Sequence, residues 1–148
     1  MSIYKLFFDG CSKGNPGKAG AGAVLYLHNL EILEIWAESK YVGDHITNNV
    51  AEYTGLIIGL ERLNHDQDSK LFVNVESSTL TIIGDSLLVI KQMQGKYVVK
   101  SPALIPLYEK AKALVASLKV GNIMYAHVLR DENKRADLLS NLGLVKSD

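Results

Sequence analysis

Four acidic residues stand apart in this sequence: Asp9, Glu52, Asp85 and Asp137. Asp9 closes the apolar run IYKLFFD and opens a glycine-rich stretch. Glu52 shares a helical stripe with Leu56, Gly59 and Leu63, the face such a helix buries. Asp85 follows TLTII-Gly84 and precedes a helical pattern; Asp137 sits between Ala136 and Leu138 in the last one. Each has an ordinary explanation by itself: a turn former, a first-turn acid, an N-cap, an exposed helix acid. Together they imply more. Ligand sites of α/β sheets gather at the carboxyl ends of strands. Asp9 and Asp85 both end strands, and Glu52 and Asp137 lie on helices that can pack against that edge. Converging carboxylates oppose one another's charge unless cations join them. An all-oxygen set, in a chain with one Cys and four His, points to Mg²⁺ or Mn²⁺ rather than zinc. Two such ions roughly 3.5–4 Å apart drive in-line displacement at phosphorus. One activates water and the other stabilises the leaving oxygen. Glu31, Glu34, Glu61, Asp66, Asp68 and Glu109 read as solvated surface charges.

The elements that must position these acids follow from periodicity. Residues 3–9, 21–28 and 31–41 read as strands, the last two joined by a short hairpin at His28-Asn29-Leu30. Residues 10–20, with their glycines and Pro16, read as a turn-rich loop. From Asn49 apolar residues recur with a helical period through Leu63, and Thr47, Asn48 and Asn49 are all N-cap types. Residues 64–70 read as loop. Residues 71–76 and 79–84 read as extended, broken at Ser77-Ser78. A helix over 86–94 stops at Gly95, and a basic loop follows over 95–101. Pro102 suits the first turn of a helix running to about Lys119. Residues 122–129 form a strand. A last helix runs from Asn133 to Leu142, with Gly143 as its stop. The order β-β-β-α-β-α-α-β-α predicts an antiparallel meander, then parallel strands: a five-stranded mixed α/β sheet flanked by helices.

The chain has 148 residues, 16 Lys+Arg against 16 Asp+Glu. That length fits one domain, and its composition excludes a disordered chain. Single Cys11 excludes a disulfide framework and a cysteine-rich zinc site. No apolar run approaches a membrane span, and MSIYKLFFDG lacks the pattern of a signal peptide. The expectation is a soluble intracellular protein, in cytoplasm or nucleus. A net charge of zero gives nucleic-acid binding no support of its own.

The chain resembles type 1 ribonuclease H, in the shorter form typical of archaea and plants. The resemblance rests on DGCSKGNPGKAGAGAVL (9–25), TNNVAEYTGLIIGL (47–60), GDSLLVIKQMQGKY (84–97), SPALIPLYEKAKAL (101–114) and HVLRDENKRADLLSN (127–141). These stand in family order and span nearly the whole chain. The resemblance implies the ribonuclease H-like fold over residues 1–148 as a single catalytic domain, with no separate hybrid-binding domain. It implies Asp9, Glu52, Asp85 and Asp137 as metal ligands for two Mg²⁺ ions, Mn²⁺ substituting. It also implies hydrolysis of the RNA strand of an RNA–DNA hybrid by a monomer, leaving 5′-phosphate and 3′-hydroxyl ends. Asn15, Asn48 and Asn49 would lie along the RNA 2′-hydroxyls, which an Asn can answer as donor or acceptor. Gly10 and Cys11 fall on the substrate side, and Thr47 near a DNA phosphate.

Two departures bear on substrate. The longer bacterial form inserts a basic, Trp-rich helix-loop where this chain has only GKYVVKS. Lys91, Lys96, Tyr97 and Lys100 are then the residue types left to touch DNA, against a solvated loop as the plain alternative. Affinity would be modest and salt-sensitive. Residues 70–78 look longer than the family's connection, as a strand extension or an extra hairpin. His127 reads as a packed or half-exposed strand residue rather than a catalytic loop histidine. Arg130 is the candidate to hold a phosphate, against a surface pair with Asp131 or Glu132. Competing readings are a DNA-cutting nuclease of the same fold and a non-catalytic hybrid-binding module. An actin-like ATPase needs two domains, and this chain is too short.

Overall fold

The computed structural model describes residues 2–69, 72 and 75–145. Strand β1 (Ile3–Lys13) alternates large apolar residues with others, so Tyr4, Leu6 and Phe8 are buried on one face. It pairs antiparallel with β2 (Gly17–His28), which pairs antiparallel with β3 (Ile32–Ile46). On its other side β1 pairs in parallel with β4 (Thr79–Gly84), and β4 with β5 (Asn122–His127). The order β3-β2-β1-β4-β5 is the mixed sheet the sequence predicts. Helix α1 (Asn48–Asp66) lies on the face of Leu6, Phe8 and Leu25, and α3 (Ile105–Ala116) packs on α1. The short α2 (Leu87–Met93) joins them, with the buried Tyr53 hydroxyl donating to Gln92 Oε1 at 2.6 Å. Helix α4 (Lys134–Val145) crosses the opposite face over β2. Among the described residues no helix is long and apolar enough to cross a membrane.

The structure corrects several boundaries. Residues 10–20 are not a loop: β1 runs on to Lys13 and β2 begins at Gly17, leaving a tight turn at Gly14-Asn15-Pro16. The small residues serve close packing rather than flexibility, since a Cβ at Gly20 or Gly22 would strike α4. For the same reason Gly143 does not stop α4. It lies within the helix, where its bare Cα lets α4 settle against the Lys40 carbonyl. Helix α1 continues to Asp66, past the predicted break at 64. Pro102 precedes α3 in a turn, and Pro106 occupies the helix's first turn instead. Strand β5 stops at His127, and Arg130–Glu132 form a 3₁₀ turn. Of the predicted extended segment 71–76, Val75–Ser77 form a 3₁₀ turn; Leu71, Val73 and Asn74, like Lys70, lie outside the described residues, so neither a strand extension nor a hairpin is described there.

Candidate metal and catalytic site

Asp9 stands one residue beyond the last β1–β4 pair, Phe8 opposite Gly84, and Asp85 follows Gly84 directly. Parallel pairing thus delivers both carboxylates to one sheet edge. Glu52 arrives from the second turn of α1, because α1 touches β1 backbone to backbone. A Cβ on Gly10 would lie 2.1 Å from the Ala51 carbonyl carbon, and one on Gly55 would lie 2.3 Å from the Asp9 oxygen. Only glycine at both positions permits that approach. One ligand oxygen each from Asp9, Glu52 and Asp85 lies within 4.8 Å of the others.

The cluster is electrostatically strained. Asp9 is 4% exposed. Burial first, then the neighbouring Asp85 carboxylate, push its acid up to about 7, although the Gly10 N–H donates to its Oδ1 at 2.9 Å. Glu52 is held well above the ordinary carboxylate range by burial, then by Asp9 and Asp85. Its Oε1 is sealed from solvent and has no hydrogen-bond partner among the described residues. An unpartnered buried acceptor beside two further carboxylates fits a hard divalent cation, which would satisfy the oxygen and offset the charge. Asp85 is not spent on capping: Ser86 caps α2, accepting from Val89 N at 3.2 Å.

Asp137 lines the same cleft, about 420 Å³ in volume, without joining the three-acid group. Its Oδ1 lies 3.7 Å from Arg130 Nη2 and 3.3 Å from Asn141 Nδ2. Arg130 therefore pairs with Asp137, not with Asp131 or Glu132, and its side chain is 78% exposed at the cleft mouth. Gly10, Cys11 and Asn48 line the cleft too, with Ser12 and Lys13. Reading β1 through to Lys13 would have found Lys13, since period-two alternation sets Cys11 and Lys13 on the face of Asp9.

The β1–β2 turn is latched to α1. Asn48 N donates to Asn15 Oδ1 at 2.9 Å, and Ser12 N donates to Asn48 Oδ1 at 2.9 Å. Both side chains thereby commit an oxygen and keep their NH₂ donors. Thr47, rather than either Asn, caps α1, accepting from Val50 N at 3.3 Å. Asn49 is exposed beside them. Lys96, Tyr97 and Lys100 are exposed on the connection between α2 and α3 and do not line the acid cleft. Tyr97 borders a separate groove with Val98 and Ile105. His127 is exposed, not packed, because it ends β5, and its Nε2 lies 3.2 Å from the Asp85 carbonyl oxygen.

Comparison with known proteins agrees with this geometry. The family described as "Reverse transcriptase-like" matches over residues 7–143. The "Bifunctional protein Rv2228c" of Mycobacterium tuberculosis is 41% identical over 133 residues, which are 90% of this chain and 33% of that protein. The chain thus spans about a third of the length of the first curated relatives it matches. RNase H1 from the halophilic archaeon Halobacterium salinarum is 31% identical with a TM-score of 0.80, covering 98% of this chain and 99% of that one. LC11-RNase H1, solved in complex with RNA/DNA hybrid, is 33% identical with a TM-score of 0.81, covering 97% and 98%. With a family match from Phe7 to Gly143 and near-complete overlap with two type 1 structures, this chain belongs to the ribonuclease H family.

Proposed function

We propose that this chain is an endoribonuclease that hydrolyses the RNA strand of RNA–DNA hybrids, leaving 5′-phosphate and 3′-hydroxyl ends. The observation that carries the reading is the three-carboxylate group at the β1/β4 edge, with Glu52 Oε1 buried and unpartnered. The family is divalent-metal dependent, and the acids here suit that dependence. Asp9, Glu52 and Asp85, with Asp137 beside them, would hold Mg²⁺ as two ions per site, Mn²⁺ substituting. When bound, such ions supply Lewis acidity toward the scissile phosphate and toward the attacking water.

The chain's own residues do the positioning. The Gly10 N–H fixes the Asp9 carboxylate. Arg130, exposed beside Asp137, turns its planar guanidinium to the phosphate on either side of cleavage. Asn15 and Asn48, their oxygens committed to the turn, offer NH₂ donors to ribose 2′-hydroxyls, and Asn49 adds a third amide. Gly10 and Cys11 flank the RNA strand in the cleft. Thr47 takes a DNA phosphate, and Lys96, Tyr97 and Lys100 grip the DNA strand away from the chemistry. The LC11 enzyme, similar over nearly its whole length, was solved with an RNA/DNA hybrid. In the same reading residues 1–148 act as one catalytic domain, a monomer inside the cell.

The test is a labelled RNA–DNA hybrid incubated with Mg²⁺, Mn²⁺ or chelator, beside duplex DNA and single-stranded RNA. Metal-dependent cutting of the hybrid's RNA, with duplex DNA spared, is expected. Equal cutting of duplex DNA would move the chain to the DNA nucleases of this fold. Tight hybrid binding without cutting would make it a binding module.

A further inference from the structure

Two residues back along β1 from Asp9, on the same face, Phe7 borders a second cleft of about 240 Å³. It lies where the first turn of α4 leaves the sheet uncovered. Phe7, Tyr26, His28, Glu132, Lys134 and Arg135 are among the residues that line it, and it shares no lining residue with the acid cleft. The three rings are half-buried. Phe7 and Tyr26 meet edge-on, centroids 5.7 Å apart and planes at 88°, and Tyr26 meets His28 at 6.4 Å and 84°. Each edge-to-face pair occupies one face of one ring with its partner's edge and leaves that ring's opposite face free of the partner, and a free face of this kind suits a flat guest. Burial, then Lys5, lowers the His28 pKa, while burial, then Glu34, raises that of Tyr26, so both rings are uncharged near neutrality. Glu34 holds Arg135 by two bonds of 2.9 and 3.2 Å. Lys134 lines the cleft and Lys5 stands opposite Tyr26 in the sheet; neither joins an ion pair among the described residues. The cleft therefore combines uncharged aromatic rings and one acid, Glu132, with the ammonium of Lys134 in its lining and that of Lys5 on the strand beside Tyr26.

We propose that this cleft binds a nucleobase, with the attached phosphate answered by Lys134. A planar heterocycle stacks on aromatic faces with little regard to base identity, and a compact ammonium suits a phosphate as a point charge. The base comes from a free nucleotide or from an unpaired strand; the chemistry is shared. The proposal does not depend on hydrolysis at the acid cleft.

The test titrates the full chain, in EDTA to disarm the acid cleft, while amide resonances are followed by NMR. The probes are adenosine, AMP and single-stranded hexadeoxyadenylate. Shifts are expected at Phe7, Tyr26, His28 and Arg135. Tyr26→Ala should weaken AMP roughly tenfold or more, Tyr26→Phe should hold it within about twofold, and Lys134→Gln should weaken AMP but not adenosine. Hexadeoxyadenylate binding roughly tenfold tighter than AMP identifies an unpaired strand, and equal binding identifies a free nucleotide; each supports the site. Shifts confined to Asp9, Glu52 and Asp85, or none at about 10 mM AMP, overturn it. Unchanged AMP affinity in a folded Tyr26→Ala also overturns it. Should Tyr26→Ala not fold, unchanged AMP affinity in Lys134→Gln does so.

Discussion

Replacing Asp85 with Asn removes one of three carboxylates crowded at the sheet edge while keeping the side chain's shape. In the metal-free protein this should raise stability. At the 4.8 Å that bounds the separations of these carboxylate oxygens, two unit charges repel by ~0.9 kcal/mol in water and by ~3.5 kcal/mol at an effective dielectric of ~20. A gain of about 1–3 kcal/mol is thus expected wherever Asp9 is ionised, or about 3–10 °C in Tm for a chain of this size. The pH dependence carries the sign. Below its unfolded pKa of 3.8 Asp9 is protonated in both states, whereas between 3.8 and about 7 the folded chain keeps a proton the unfolded chain has lost. The metal-free wild type therefore loses stability as pH rises through that window. The benefit of Asp85→Asn should be full at pH 8 and small at pH 5. Saturating Mg²⁺ should reverse the ranking, because a ligand that binds only the folded state stabilises it by RT ln(1 + [L]/Kd), and the variant has lost a ligand. Thermal melts in EDTA and in Mg²⁺, at pH 5 and 8, measure all of this. A variant no more stable than wild type in EDTA at pH 8, or equally stabilised at both pH values, would refute the crowding argument.

The same Asp85→Asn variant should lose nearly all hybrid cleavage, about a thousandfold or more, in a radiolabelled assay. Arg130→Ala should slow turnover more than His127→Ala; if His127→Ala is the more damaging by tenfold, or about 1.4 kcal/mol in barrier, the histidine is catalytic and the reading of Arg130 fails. Gly55→Ala should force α1 off β1, lowering stability by roughly 1–3 kcal/mol and weakening Mg²⁺ binding, seen by calorimetry. Leu56→Ala, in the buried core, should cost about 2–5 kcal/mol in denaturant melts while leaving metal affinity intact. Lys96→Ala and Lys100→Ala should each flatten the salt dependence of hybrid binding by roughly one counterion; an unchanged slope would remove them from the interface.

The acids were legible because strand ends are legible. Asp9 and Asp85 each follow a strongly apolar run, and the stripe through Glu52, Leu56 and Leu63 assigns Glu52 to the face α1 buries. What sequence could not rank was Asp137 against the other three. Its distance from them, and its pairing with Arg130, depend on how α4 crosses the sheet. The glycines misled for a related reason. Gly20 and Gly143 read locally as loop and stop signals, but tertiary packing uses their missing side chains, and only the assembled sheet shows what presses on them. Pro102 and Pro106 both suit a first turn, and the sequence does not say which starts α3. His127 reads as packed or half-exposed when its strand is carried to residue 129; ending β5 two residues earlier puts it at the exposed rim.

The contact of Gly10 and Gly55 against facing backbone makes the Asp9–Glu52 spacing a property of the main chain. It works as a ruler whose marks are peptide groups, so exchange of neighbouring core side chains need not change its reading. Such a centre is insulated from changes in the packing of this chain's interior, because the distance that sets the chemistry is held by main-chain atoms. Redesign of the substrate grip on the α2–α3 connection enjoys the same freedom, since that segment carries none of the ruler's marks.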